Sequence, residues 1–138
     1  MEETSRLYPA AVEARQVSPL ALAFVGDGVY DLCVREMLVA EANRPVGDLH
    51  REAVKLVRAE AQAAAAVRLL PLLTEEEAAV FRRGRNAHTN RTGSAYHHAT
   101  GLEALFGYLY LDGRIDRVRE LFRLATAPQE DGYKEASL

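Results

Sequence analysis

One cysteine, no tryptophan and only 7% aromatic residues stand in a chain of 138. With Cys33 alone there is no intrachain disulfide, and a thiolate metal site would need more sulfurs. No stretch approaches the roughly 20 uncharged apolar residues of a membrane span. The first six residues, Met-Glu-Glu-Thr-Ser-Arg, lack the apolar core of a secretory leader, so the expected location is cytoplasmic. The chain is not basic either. Its 17 Lys and Arg against 20 Asp and Glu leave a net charge of −3, which excludes a uniformly cationic nucleic-acid coat. Internal repeats and strand-like alternation are also missing.

What is present is 49% apolar side chains, enough for one core and one domain. The periodicity reads as an all-α fold of about five main helices. Ser18-Pro19 is a helix start, with serine as cap and proline at the first helical position. The helix from Leu20 to about Val39 is so densely apolar that it should be central and buried on most sides. Asn43-Arg44-Pro45 breaks it, and Asp48 can cap a second helix running through Ala63 to Ala66 and ending near Pro71. Thr74 and Glu77 have capping-box spacing, which starts a third helix ending near Arg85. Residues 86–94 read as a loop. A fourth helix covers roughly Ala95 to Leu111, and Asp112-Gly113 separates it from a fifth, Arg114 to about Thr126. The division is an N-terminal segment 1–17, a domain 18–127 and a polar, mobile tail 128–138.

The charge is unevenly placed. Between Phe81 and Ala99 lie Arg82, Arg83, Arg85 and Arg91 with no acid among them, a patch suited to phosphates. The alternative is an ordinary solvated helix end, where cations oppose the negative end of the dipole. Two acids stand out in apolar surroundings. Asp27 lies in Phe24-Val25-Gly26-Asp27-Gly28-Val29, and Glu103 in Gly101-Leu102-Glu103-Ala104-Leu105. Small residues beside each, Gly26 and Gly28 at one, Gly101 and Ala104 at the other, would let two helices approach until the carboxylates face each other. Such a pair repels unless a proton or cation lies between. Oxygen ligands of this kind suit Mg²⁺ or Mn²⁺ beside phosphate, the components for phosphodiester hydrolysis. A plainer reading keeps Asp27 bonded to an arginine or a helix end, or makes residues 26–28 a turn. The histidines are poorly spaced for a metal, since the adjacent His97 and His98 diverge by about 100° on a helix. Cys33, on a helix read as buried, is a poor nucleophile.

These residues also carry a family resemblance. Leu22 to Val29 resembles the signature helix of the ribonuclease III family, and Leu102 to Asp112 its second acidic motif. Leu20 to Ala23, Asp48-Leu49-His50, Arg83-Gly84-Arg85-Asn86-Ala87 and Thr100 to Leu105 are similar to the Mini-ribonuclease III branch, which consists of a catalytic domain alone. The likeness spans about Ser18 to Leu124. It implies a metal-binding, catalytic Asp27 and Glu103. Where longer family members have further acids, this chain has Leu20, Ala23 and Thr100, as that short branch does.

The resemblance further implies a homodimer whose signature helices meet, with Phe24, Val25 and Tyr30 as interface candidates, core packing being their alternative. It implies a Mg²⁺-dependent endoribonuclease, Mn²⁺ substituting, that cuts double-stranded RNA to leave 3′-hydroxyl and 5′-phosphate ends and matures the termini of precursor large-subunit (23S) ribosomal RNA. No double-stranded-RNA-binding domain is expected, so grip falls to Arg82, Arg83, Arg85 and Asn86, then His50, Arg51 and Lys55, which would read an A-form duplex by its phosphates and shape. The rival is a non-catalytic RNA-binding or ribosome-associated module of the same fold. The number of metals per site, the RNA stem cut, the help of a ribosomal protein and the conformation of loop 86–94 on RNA stay open.

Overall fold

Ser18 and Pro19 open the first helix as their chemistry suggests. The serine hydroxyl accepts from the Ala21 N–H at 3.3 Å, and proline occupies the first turn. The structure, a computed structural model, describes residues 6–87 and 93–127. All the regular structure in those residues is helical. A short 3₁₀ turn, Ala14–Gln16, precedes α1, Pro19–Glu41. Then follow α2, Val46–Val57, α3, Ala59–Leu69, and a 3₁₀ turn, Leu70–Leu72. Helices α4, Glu75–Arg85, α5, Ser94–Leu111, and α6, Ile115–Thr126, complete the order. The tail 128–138 and positions 88–92 of the expected loop lie outside the described residues.

Six helices replace the expected five because the segment 46–69 is divided at Arg58, whose backbone is extended at ψ 158°. Helix α2 packs on α1, whereas α3 lays Ala65, Ala66 and Leu69 against α5. One straight helix could not reach both surfaces. Asp48 is not the cap expected of it. It lies in the first turn of α2 behind Pro45, where its charge favours the positive end of the helix dipole. The capping box at Thr74 is present with both reciprocal bonds, 3.1 Å to the Glu77 N–H and 2.9 Å from the Thr74 N–H.

The central helix is α5 rather than α1. Residues from Ala99 to Leu109 are buried with the single exception of Glu103, and α1, α3, α4 and α6 all pack around it. Helix α1 buries Leu22, Tyr30, Val34 and Leu38 but leaves Leu20, Phe24 and Leu32 uncovered on another side. Tyr30 joins three helices at once, its ring meeting Phe106 and Phe122 edge-on at 5.1 and 5.3 Å.

Two glycines set the crossing of α1 and α5. A β-carbon on Gly26 would lie 1.6 Å from the Glu103 carbonyl oxygen, and one on Gly107 would lie 2.0 Å from that of Leu22. The helices run antiparallel with backbone touching backbone. Gly101 and Ala104, assigned above to this crossing, instead face α4, where Gly101 meets Phe81 and Ala104 meets Gly84. Gly28 has nothing within 4 Å of its β-carbon position.

A polar clamp fixes the start of α4. Glu77, with a side chain only 3% exposed, receives two 2.8 Å bonds from Arg117 of α6. Glu76 accepts from Arg114 at 3.1 Å and from the Tyr108 hydroxyl, and Arg15 approaches it at 3.5 Å. The acids at 76 and 77 are therefore structural partners of arginines.

Candidate active site

Asp27 follows the glycine that touches Glu103's own carbonyl, so the α1/α5 crossing brings these two carboxyl groups side by side. Asp27 is exposed and Glu103 half-buried. The expectation of a deeply buried Asp27 fails because Asp27 lies at the edge of the α1/α5 crossing, where its side chain meets Glu103 but stays open to solvent among the described residues. Burial pushes the Glu103 carboxyl up to about 8, helped by the Asp27 charge and by the hydrogen bond between them. At neutral pH and without a cation, Glu103 keeps its proton and donates it to the Asp27 carboxylate.

That arrangement fits a divalent metal. Two oxygen donors crowded until one retains a proton become a stable pair when a cation replaces that proton. Among the described residues no cluster of three or more His, Cys, Asp or Glu side chains forms, so protein carboxylates would supply a small part of the shell. Ala23 and Thr100 are buried, and the Thr100 hydroxyl bonds back to the Tyr96 carbonyl at 3.1 Å.

Three arginines stand at the end of α4, which packs on α5. Gly84 lies against Thr100, Gly101 and Ala104, which brings the end of α4 to the turn of α5 that carries Glu103. Arg83 and Arg85 flank that glycine. Arg82 and Arg83 are exposed, and Arg85 is half-buried with its Nε donating to Asn86 Oδ1 at 3.2 Å. None of the three has an ion-pair partner among the described residues. Asn86, exposed, caps α4 through its backbone N–H to the Arg82 carbonyl.

The second group of expected RNA contacts is elsewhere. His50 shares a small cleft with Arg35, Leu38 and Val39, some 12–18 Å along α1 from Asp27 at about 1.5 Å per residue. On the same helix Arg51 pairs with Asp48, and Lys55 pairs with Glu52 at 3.1 Å. Their charge is largely balanced locally, unlike that of the α4 arginines.

The interface candidates separate in the same way. Phe24 is 83% exposed. Val25 is half-buried and lines an open apolar groove of about 860 Å³ between α1 and α6. Tyr30 is 2% exposed and belongs to the core, since its ring is already enclosed by α5 and α6. The sequence reading missed the groove, although the small Gly28 and the surplus apolar residues of α1 were its signal.

A domain whose described residues form only helices, with paired acids at a glycine crossing and arginines at the end of a neighbouring helix, has close counterparts. Residues 20–114 match the family described as Ribonuclease III domain. A Mini-ribonuclease 3 of Thermoanaerobacter sp. (strain X514) is 48% identical over 120 residues, covering 83% of this chain and 84% of that one. Another, from Synechococcus sp., is 51% identical over 110 residues, covering 77% and 78%. A solved structure of a Fusobacterium nucleatum protein superimposes with a TM-score of 0.72 at 27% identity, over 79% of this chain and 91% of that one. The chain belongs to the ribonuclease III family, in its Mini-ribonuclease III branch. As such it is an endoribonuclease.

Proposed function

We propose that this chain is a Mg²⁺-dependent endoribonuclease acting on double-stranded RNA as a homodimer, with precursor 23S ribosomal RNA termini as its cytoplasmic substrate and Mn²⁺ able to substitute. The observation that carries this reading is the hydrogen-bonded Asp27 and Glu103 pair at the α1/α5 crossing, with the arginine-bearing end of α4 packed on the stretch of α5 that holds Glu103. Asp27 and Glu103 would hold the metal, which when bound supplies an activated water and stabilises charge at the scissile phosphate. Their roles differ with their settings. Exposed Asp27 is reachable by solvent and phosphate, whereas half-buried Glu103 is fixed by the core and at neutral pH keeps its proton until a cation takes its place.

Arg82, Arg83, Arg85 and Asn86 would bind backbone phosphates, letting an A-form duplex be recognised by shape. His50, Arg51 and Lys55 would touch RNA only beyond the immediate site. Phe24 and Val25 would meet a second copy, giving one site per strand of the duplex.

The test is cleavage of an end-labelled RNA duplex by the purified chain in Mg²⁺, beside EDTA and Asp27→Asn. We expect 3′-hydroxyl products that require the metal, and a loss of about a hundred-fold or more in rate for Asp27→Asn. Binding without cutting under every divalent metal tried would replace this reading with a non-catalytic RNA-binding module.

A further inference from the structure

The α1/α6 groove has an additional wall that belongs to neither helix. Leu7 lines it together with Val29, Leu32, Val118 and Phe122. The segment holding Leu7 is tied down. The Leu7 N–H donates to the Tyr110 hydroxyl at 2.6 Å, and the Arg6 guanidinium donates to the carbonyls of Tyr8 and Ala10 at 3.2 and 2.7 Å. Yet Leu7 is 82% exposed and Tyr8 73%. The backbone is held in place while its two large apolar side chains stay uncovered, which is unfavourable in water unless something covers them.

We propose that the N-terminal segment around Leu7 and Tyr8 forms part of the contact between two copies of this chain, packing on the copy that occupies the α1/α6 groove. This rests on the dimer reading above and adds to it an element outside the signature helix. A second copy is the occupant for three reasons. The groove is continuous through Val25 with the 83% exposed Phe24, so an unfilled apolar hollow and an uncovered aromatic ring share one face and can exchange across a two-fold axis. Gly28 lines the groove with its β-carbon position empty. A glycine inside a helix weakens it, and no packing among the described residues requires one there, whereas close approach by another backbone would. Finally, Glu36 on α1 and Arg123 on α6 both line the groove, so its rim offers an acid and a base that a copy related by two-fold symmetry can pair reciprocally.

The experiment is sedimentation of the full-length chain over a concentration series, comparing wild type, Leu7→Asp, Phe24→Asp and Val67→Asp, with thermal unfolding of each at a concentration where it is a single copy. Val67 is exposed on α3, away from the groove. Because a two-fold contact counts each substitution twice, Leu7→Asp should raise the dimer dissociation constant by about thirty-fold or more. Its single-copy melting temperature should stay unchanged, and Val67→Asp should leave both quantities alone. A dimer weakened by Phe24→Asp but untouched by Leu7→Asp overturns the role of the segment and leaves the dimer standing. Weakening by Leu7→Asp that comes with a lower single-copy melting temperature also overturns it, because the segment would then act within its own chain. A wild-type chain that is monomeric at every concentration overturns the dimer reading, and this proposal with it.

Discussion

Glu103→Gln should stabilise the metal-free protein at alkaline pH. Moving a carboxyl from 4.5 to about 8 corresponds to about 5 kcal/mol when fully realised, at about 1.4 kcal/mol per pKa unit. Asp27 is exposed and water screens its charge, so we take about a third of that, roughly 1–2 kcal/mol. The direction follows from proton counting. Between pH 4.5 and 8 folded Glu103 keeps a proton that the unfolded chain releases, so wild-type stability falls as pH rises through that window. Glutamine has no proton to lose, and its amide can still donate to Asp27. In EDTA the variant should therefore match wild type near pH 5 and melt about 3–8 °C higher at pH 8.5. The assay is thermal unfolding followed by circular dichroism across that range. A variant no more stable than wild type at pH 8.5, or one with the same advantage at pH 5, would refute the reasoning.

Other expectations follow from the packing and the charges. In a Phe24→Asp background that keeps the chain as a single copy, Gly26→Ala should lose about 3 kcal/mol or more in denaturant unfolding, because its methyl group would collide with the Glu103 carbonyl. Gly28→Ala in that background should gain up to about 1 kcal/mol, since its β-carbon meets open space. Arg85→Ala should flatten the dependence of log RNA affinity on log salt by about one, and an unchanged slope would remove Arg85 from the phosphate contacts. Glu77→Ala removes two of the Arg117 guanidinium's hydrogen bonds, leaving those to Glu120 and the Leu72 carbonyl, and should cost about 2 kcal/mol at neutral pH. Hydrogen bonds from Arg117 hold the Glu77 carboxyl below its ordinary 4.5, so wild type loses this contribution as pH falls through the acid range. Melts at pH 7 and pH 3 should show the gap between wild type and variant narrowing in acid.

Much of the site was legible because its signals are local. Asp27 and Glu103 stood out as acids among apolar residues, Gly26 marked the close crossing although Gly28, Gly101 and Ala104 proved not to belong to it and Gly107 was missed, and the arginines from 82 to 85 had no acid nearby. Ser18-Pro19 and Thr74 with Glu77 announced two helix starts by chemistry confined to a few residues. The misreadings share a different origin. Helix α1 leaves Leu20, Phe24, Leu32 and Val39 exposed among the described residues, and that surplus of apolar residues made it read as central and Asp27 as buried. Tyr30 and Phe24 are both aromatic residues on that helix, and only the third dimension tells which one the core encloses. The break at Arg58 has no glycine or proline to mark it, and is decided by α2 and α3 seeking different partners. The clamp of Glu76 and Glu77 on Arg114 and Arg117 joins residues about 40 apart, beyond the reach of any periodicity.

The contact between Gly26 and the Glu103 carbonyl has a bearing on how the enzyme fails. The two carboxyl groups are carried by touching backbones in the most enclosed part of the domain, where hydrogen exchange should be slowest. No loop holds them, so no loop can release them. Loss of activity on heating should coincide with collapse of the whole domain, with catalysis and circular dichroism following one transition, and the enzyme should keep its full rate until the temperature at which it ceases to be folded.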